Sequence, residues 1–197
     1  MPAENREQWL QQMVGLLRPY FENQVEKKLP EKVHVSCGFP SRKALVRKAV
    51  FVGQCFPTRM SGAGYNEVFI SPLKANELEV AAILVHELIH AVDDCVNQHK
   101  RPFIEMAKRA GLVRPWTCSV PGDALQGVLN EMIEKLGAYP HSEINRNAFD
   151  DLKKQGTRLI KVVCPEADCG VVCRMTKKYI ETGRIPTCAC GTKMEAA

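Results

Sequence analysis

The sequence predicts an α+β chain in two parts, and three observations carry that expectation. Short alternating or β-branched runs cluster between residues 33 and 70, longer runs with helical spacing follow from residue 76, and five of the nine cysteines crowd the last 34 residues. With 45% apolar and 25% charged residues, the 197-residue chain can build one medium core and a small appendage, which excludes collagen-like, low-complexity and wholly disordered classes. No window nears the roughly 18 uninterrupted apolar residues of a membrane span, and Met1-Pro2-Ala3-Glu4 lacks the basic and apolar regions of a secretory signal. A cytoplasmic protein without a membrane partner is the expectation.

The first helix is expected over Asn5 to Lys28, where Trp9, Leu10, Met13, Val14, Leu16, Leu17, Phe21 and Val25 share one face, Pro19 is a tolerated disturbance and Leu29-Pro30 is the stop. Val33 to Ser36 alternates like a strand, Gly38 to Ser41 is turn material, and Ala49 to Phe56 reads as a second strand. After the turn Ser61-Gly62-Ala63-Gly64, Glu67 to Ile70 reads as a third, giving a small sheet that is antiparallel in part. From Asn76 the spacing turns helical, and Leu78, Val80, Ala81, Leu84, Val85, Leu88, Ile89 and Val92 are too continuously apolar for a surface helix. It should cross the core and stop near Asn97. Further helices are expected from Pro102 to Gly111, from Asp123 to Leu136 after Pro121-Gly122, and from Asn147 to Lys154. The composition changes beyond Gly156, which places domains at residues 1–155 and 156–197.

His86-Glu87-Leu88-Ile89-His90 is an HExxH motif inside the core-crossing helix. Residues four apart share a helix face, so both imidazoles can meet one metal ion while Glu87 reaches a water held there. Zinc with three protein ligands and an open position would activate that water, with the carboxylate as general base. A core helix that merely carries two histidines is the bland alternative, and it leaves clustered ionisable groups desolvated without compensation. His99 is the first candidate for the third ligand. Nine residues at about 100° each would turn it to the far side of a continued helix, so the chain must leave the helix and fold back. Glu105 is the second candidate, and a solvated loop histidine beside Lys100 and Arg101 is the alternative for His99. Asp93 and Val96 occupy the places where the metzincin pattern has Gly and His.

Together, Glu67 to Pro72, His86 to Val92, and His99 with a short helix ending at Gly111-Leu112 resemble the SprT-like metallopeptidase family, particularly its small phage and bacterial members. Gly38 to Ser41, Gly53-Gln54-Cys55-Phe56 and the tail extend the similarity over most of the chain from about residue 30. The resemblance implies a zincin-like fold, zinc on His86, His90 and His99, Glu87 as general base, and hydrolysis of proteins, in one branch those associated with DNA. Lys100 stands where the family often has Gly. A Tyr-Pro-His segment is also shared, so Tyr139 or His141 could donate to the oxyanion, the alternative being a turn that packs one ring and exposes the other. Glu67 to Ile70 is the expected edge for an extended peptide substrate.

In the tail, Cys164 and Cys169 form one knuckle and Cys188 and Cys190 a second, 18 residues on. Two close thiol pairs suit a tetrahedral, structural zinc in a zinc ribbon, with Cys173 read as packing. Lys153 to Ala197 hold nine Lys/Arg against four Asp/Glu, whereas the first 152 residues balance at 18 against 18. Lys153, Lys154, Arg158, Lys161, Arg174, Lys177, Lys178 and Arg184, with Tyr179 for stacking, could contact DNA phosphates or simply face solvent. The resulting expectation is a zinc-dependent protease with one catalytic and one structural Zn2+. Its alternatives are a non-catalytic zinc-containing nucleic-acid-binding or scaffold protein and a hydrolase of another bond.

Overall fold

In the computed structural model, which describes residues 3–39, 51–145 and 159–197, the first helix, α1 (Arg6–Tyr20), starts where the Asn5 side chain accepts from the Gln8 amide. Its buried stripe is Trp9, Leu10, Met13, Val14 and Leu17. Pro19 lies inside the helix, and the chain continues as a wider π turn over Phe21–Val25 before Glu26 takes a left-handed conformation. The helical stretch therefore ends at Val25 and not at Lys28.

Three strands follow: β1 (Val33–Cys37), β2 (Gly53–Phe56) and β3 (Asn66–Ile70). The sheet order is β1-β3-β2, with β1 parallel and β2 antiparallel to β3. The strand expected over Ala49 to Phe56 is narrower, with Val52 outside it and residues 49 and 50 outside the described residues. So are Pro40 and Ser41 of the expected turn. One expectation is corrected here: β3 is the central strand, paired on both sides, so Glu67 to Ile70 is not an edge. Its alternating burial, with Asn66, Val68 and Ile70 inward, reads as well for a central strand as for an edge. Among the described residues, β1 and β2 are the outer strands of this sheet.

Helix α2 (Glu77–Val92) starts at Asn76, whose side chain accepts from the Glu79 amide. Every residue from Val80 to Ala91 is buried, as a core-crossing helix requires. It ends at Val92, earlier than Asn97, because the following turn reverses the chain. Helix α3 (Arg101–Arg109) has Pro102 in its first turn and stops before Gly111, whose φ is 78°. A Cβ on Gly111 would lie 2.9 Å from Leu125 Cβ, so glycine is also needed there for close packing. Strands β4 (Leu112–Val113) and β5 (Val120–Pro121) pair antiparallel and lead into α4 (Asp123–Leu136). Trp9, Phe21, Ile70, Leu84, Leu88, Phe103, Leu125 and Leu129 are fully buried together, with α2 running through their midst.

The chain divides into two compact units, Met1–Arg146 and Asn147–Ala197. The boundary expected at residues 155 and 156, and the helix expected over Asn147 to Lys154, lie outside the described residues. The second unit holds β6 (Ile160–Val163), β7 (Val172–Met175), the short helix α5 (Lys177–Glu181) and β8 (Glu195–Ala196). Its sheet order is β7-β6-β8, antiparallel throughout. Its buried cluster among the described residues is Val162, Cys164, Cys188 and Met194. The protein is thus of the α+β class with small sheets, and no helix among the described residues is long and apolar enough to cross a membrane.

Candidate metal centres

His86 and His90 stand one turn apart on the same face of α2, both buried. The turn after α2 brings the third imidazole to them. Asp94, Cys95 and Gln98 have φ of 51°, 61° and 50°, a left-handed conformation that non-glycine residues adopt only at some cost. Side-chain hydrogen bonds hold them in it. Asp93 accepts from the Asn97 amide at 3.2 Å and side chain at 2.9 Å, and Gln98 donates to the Cys95 carbonyl at 2.9 Å. Asp94 accepts from the Thr58 amide (2.7 Å), the Thr58 hydroxyl (3.0 Å) and the Asn66 side chain (2.8 Å), tying the turn to the sheet. As a result, His99 Nε2 lies 3.1 Å from His86 Nε2 and 3.2 Å from His90 Nε2.

Three nitrogens bound to one zinc at about 2.0–2.1 Å in tetrahedral geometry would be about 3.3 Å apart, so the observed spacing fits a metal ion. The protonation chemistry fits as well. Burial and the mutual repulsion of the rings hold His86 down to about 3 and His90 to about 4, and burial lowers His99 too. All three are neutral bases with lone pairs at physiological pH. The Phe103 ring stacks on His90 at 4.4 Å between centroids and lies 5.0 Å from His86 and 4.9 Å from His99, an apolar wall that fixes the ring planes.

Glu87, also buried, projects beneath β2. A Cβ at Gly53 would sit 2.6 Å from Glu87 Oε1 and 2.6 Å from Ile83 Cγ2, so only glycine lets the strand pass this close. Burial, with the Cys95 thiol alongside, pushes the Glu87 carboxyl up to about 8, and backbone hydrogen bonding from Cys55 opposes the shift. Without a cation nearby such a group is largely protonated at neutral pH, and a divalent ion at the adjoining histidines would return it to the anion.

Glu105 is not brought to the triad. Its carboxylate pairs with Arg101 at 2.9 Å on the exposed face of α3 and lines a separate cleft of about 380 Å3 with Lys27, Asp93 and Arg109. No contact of Tyr139 or His141 with the three histidines is seen among the described residues. The Tyr139 amide donates to Glu77 at 3.4 Å, at the start of α2, and nine residues at about 1.5 Å each separate Glu77 from His86. The Tyr139 ring packs edge-on against Trp9 at 5.1 Å under the Arg6 guanidinium, with its hydroxyl buried beside Cys37. His141 is exposed, with φ 67°. Arg6 donates to the Pro140 and Ser142 carbonyls, tying this segment to the start of α1.

In the second unit, Cys164, Cys169, Cys188 and Cys190 converge, with Cys164 and Cys190 sulfurs 3.5 Å apart and those of Cys169 and Cys188 at 3.4 Å. Thiolates on one tetrahedral zinc at about 2.3 Å would be about 3.8 Å apart, close to this spacing. Each knuckle turns tightly: the Gly191 amide donates to Cys188 and the Cys169 amide to Glu166. Gly191, at φ 91°, supplies a conformation other residues avoid. Hydrogen bonding from Thr192 pulls the Cys190 thiol down, while the neighbouring thiols push Cys164 and Cys169 up, so the cluster without an ion holds few thiolates and a metal would have to displace the remaining protons. Cys173, paired with Val162 across β6 and β7, packs against this group without joining it. Lys161 and Arg174 face each other across the same strands, and Tyr179 is exposed. Lys153, Lys154 and Arg158 lie outside the described residues.

Sequence reasoning singled out both ligand sets but missed Phe103, Asp94 and the role of Gly53. Phe103 shows only as an apolar position. Asp94 could have been suspected as a polar residue just past a buried helix. Comparison with protein-family models, curated proteins and solved structures returned no match. Chemically, one centre has three neutral nitrogens, with buried Glu87 following His86 in α2, and the other has four sulfurs. Both could bind a metal ion.

Proposed function

We propose that this chain is a zinc-dependent metallopeptidase of the SprT-like, zincin-like type, followed by a zinc ribbon. The supporting observation is the convergence of His86, His90 and His99 on one point, with buried Glu87 next to His86 in α2. Zinc held there by three imidazoles would supply Lewis acidity, polarising a carbonyl and acidifying a water. Glu87 accepts the proton of the attacking water and delivers it to the leaving amine. Phe103 and the buried walls of α2 exclude bulk solvent from the reacting groups, and Gly53 keeps the Glu87 carboxyl in place under β2. The four cysteines hold a second, structural zinc that folds a unit with almost no core of its own. The substrate is a protein or peptide, and the DNA association of relatives in the resembled family extends to this chain as part of the proposal.

Glu87→Gln tests the assignment. Metal content and fold should stay as in the wild type while peptide hydrolysis falls by about 10²–10⁴, the usual contribution of a positioned base. Retention of full activity with zinc bound would remove Glu87 from the mechanism. A second reading, a zinc-holding nucleic-acid-binding protein without turnover, draws support from the adjacent Lys161 and Arg174 and the exposed Tyr179. Peptidase assays with and without single-stranded DNA separate the two.

A further inference from the structure

Of the four cysteines outside the tail, two have come together. Cys55, in the middle of β2, and Cys95, in the turn after α2, are 40 residues apart in sequence, yet the Cys95 thiol donates to the Cys55 carbonyl at 3.4 Å. The two thiols act on each other's acidity, Cys95 pushing the Cys55 thiol up and Cys55 drawing the Cys95 thiol down. Neither is in a disulfide, and both are only partly buried, so a small oxidant can reach them. No third His, Cys, Asp or Glu among the described residues completes a metal-binding group with them. A thiol pair without a third ligand is suited to oxidation rather than to a metal.

We infer that Cys55 and Cys95 are a modification site for peroxides, closing to an intramolecular disulfide at the strand that covers Glu87. In the step, one thiol sulfur attacks a peroxide oxygen, the O–O bond breaks, and a sulfenic acid and one water form from hydrogen peroxide. The second thiol then displaces the sulfenic oxygen as a second water, leaving the S–S bond. Two thiols are oxidised by two electrons and one peroxide is reduced. Both elements are held in place, β2 by its pairing with β3 and the Cys95 turn by Asp94, which keeps the Cys95 sulfur 3.4 Å from the Cys55 backbone.

The bond would act on the neighbouring carboxyl. An S–S bond of about 2.05 Å is far shorter than the contact of two thiols, so closure draws the middle of β2 towards the turn. Cys55 contributes backbone hydrogen bonding to Glu87, and Gly53 already passes with no room to spare. The oxidised chain therefore displaces Glu87. This consequence rests on the proposed peptidase reading, whereas the disulfide does not.

The zinc-loaded full chain is treated with hydrogen peroxide, digested with trypsin without reduction, and mapped by mass spectrometry. Cys55 falls in the tryptic peptide 49–59 and Cys95 in 75–100, each the one cysteine of its peptide. The expected result is a linked 49–59/75–100 pair, removed by dithiothreitol and absent in Cys95→Ser. Oxidation of the exposed Cys118 without that linked pair would overturn the site. In parallel, hydrolysis should fall at least about tenfold on crosslinking, within the 10²–10⁴ a general base supplies, and recover on reduction. An unchanged rate in fully crosslinked protein would overturn the coupling to Glu87. A crosslink in a chain that hydrolyses nothing in either state would instead count against the peptidase reading and leave the thiol site standing.

Discussion

Replacing Gly53 by Ala adds one methyl group at the point where β2 passes Glu87. The backbone there is not left-handed, so alanine can adopt it, and the consequence is steric. The new Cβ would sit 2.6 Å from Glu87 Oε1, 2.9 Å from Glu87 Cγ and 2.6 Å from Ile83 Cγ2. Reaching an ordinary contact of 3.4 Å requires a retreat of about 0.8 Å by the carboxylate, the strand or both. Overpacking of this size costs about 1–3 kcal/mol of stability. Because a misplacement of about 1 Å can cost about 10²-fold in rate, Gly53→Ala should lower kcat by about 10–100-fold. The histidines are untouched, so zinc stoichiometry should stay at the wild-type value. Peptide hydrolysis, zinc analysis and thermal melting on the same preparation separate these effects. Gly62→Ala is the control, since a Cβ there meets nothing within 4 Å. Wild-type kcat in a folded, zinc-loaded Gly53→Ala protein would refute the claim that β2 positions Glu87.

Three other outcomes follow from the same geometry. His99→Ala should remove one zinc per chain from an expected two, while Glu105→Ala, whose carboxylate faces Arg101, should remove none; metal analysis showing the reverse would move the third ligand. The pair Cys188→Ser and Cys190→Ser should unfold residues 159–197 and leave the first unit protected from hydrogen exchange, and a protected tail would argue against a metal-held second unit. Metal-free protein should lose stability on acidification. The folded-state values of about 3 for His86 and about 4 for His90 lie below the unfolded value of about 6.5, so the unfolded chain binds more protons between them. The stability present above pH about 6.5 is lost as pH falls towards 4, and denaturant titrations should show that slope shrinking in His90→Leu. An equal slope in the variant would contradict it.

The elements that were legible in the sequence are those whose signal is local. The unbroken apolar run of α2, the boundaries of α4 and the two thiol knuckles are written in spacing alone. The end of α2 was not, because Asp94, Cys95 and Gln98 take left-handed conformations that no residue type there demands, and Asp94 is held by Thr58 and Asn66, more than 25 residues away. The same holds for β3. An alternating strand looks alike at an edge and at a centre, and only the pairing with both β1 and β2 decides it. Neither the residue type of Tyr139 nor the Tyr-Pro-His pattern reveals that its ring meets Trp9 and Arg6, which are more than 125 residues away in sequence.

The turn that carries His99 is fastened by hydrogen bonds from protein groups. A cage assembled in advance spends little ordering entropy on its guest, and it also has little means of refusing a near-equivalent one. Cobalt, nickel and copper should compete for the same three nitrogens, which makes cellular supply rather than the chain the selector. The same tolerance offers a practical gain, since a coloured cobalt ion seated there would report by its visible spectrum on what approaches the open side.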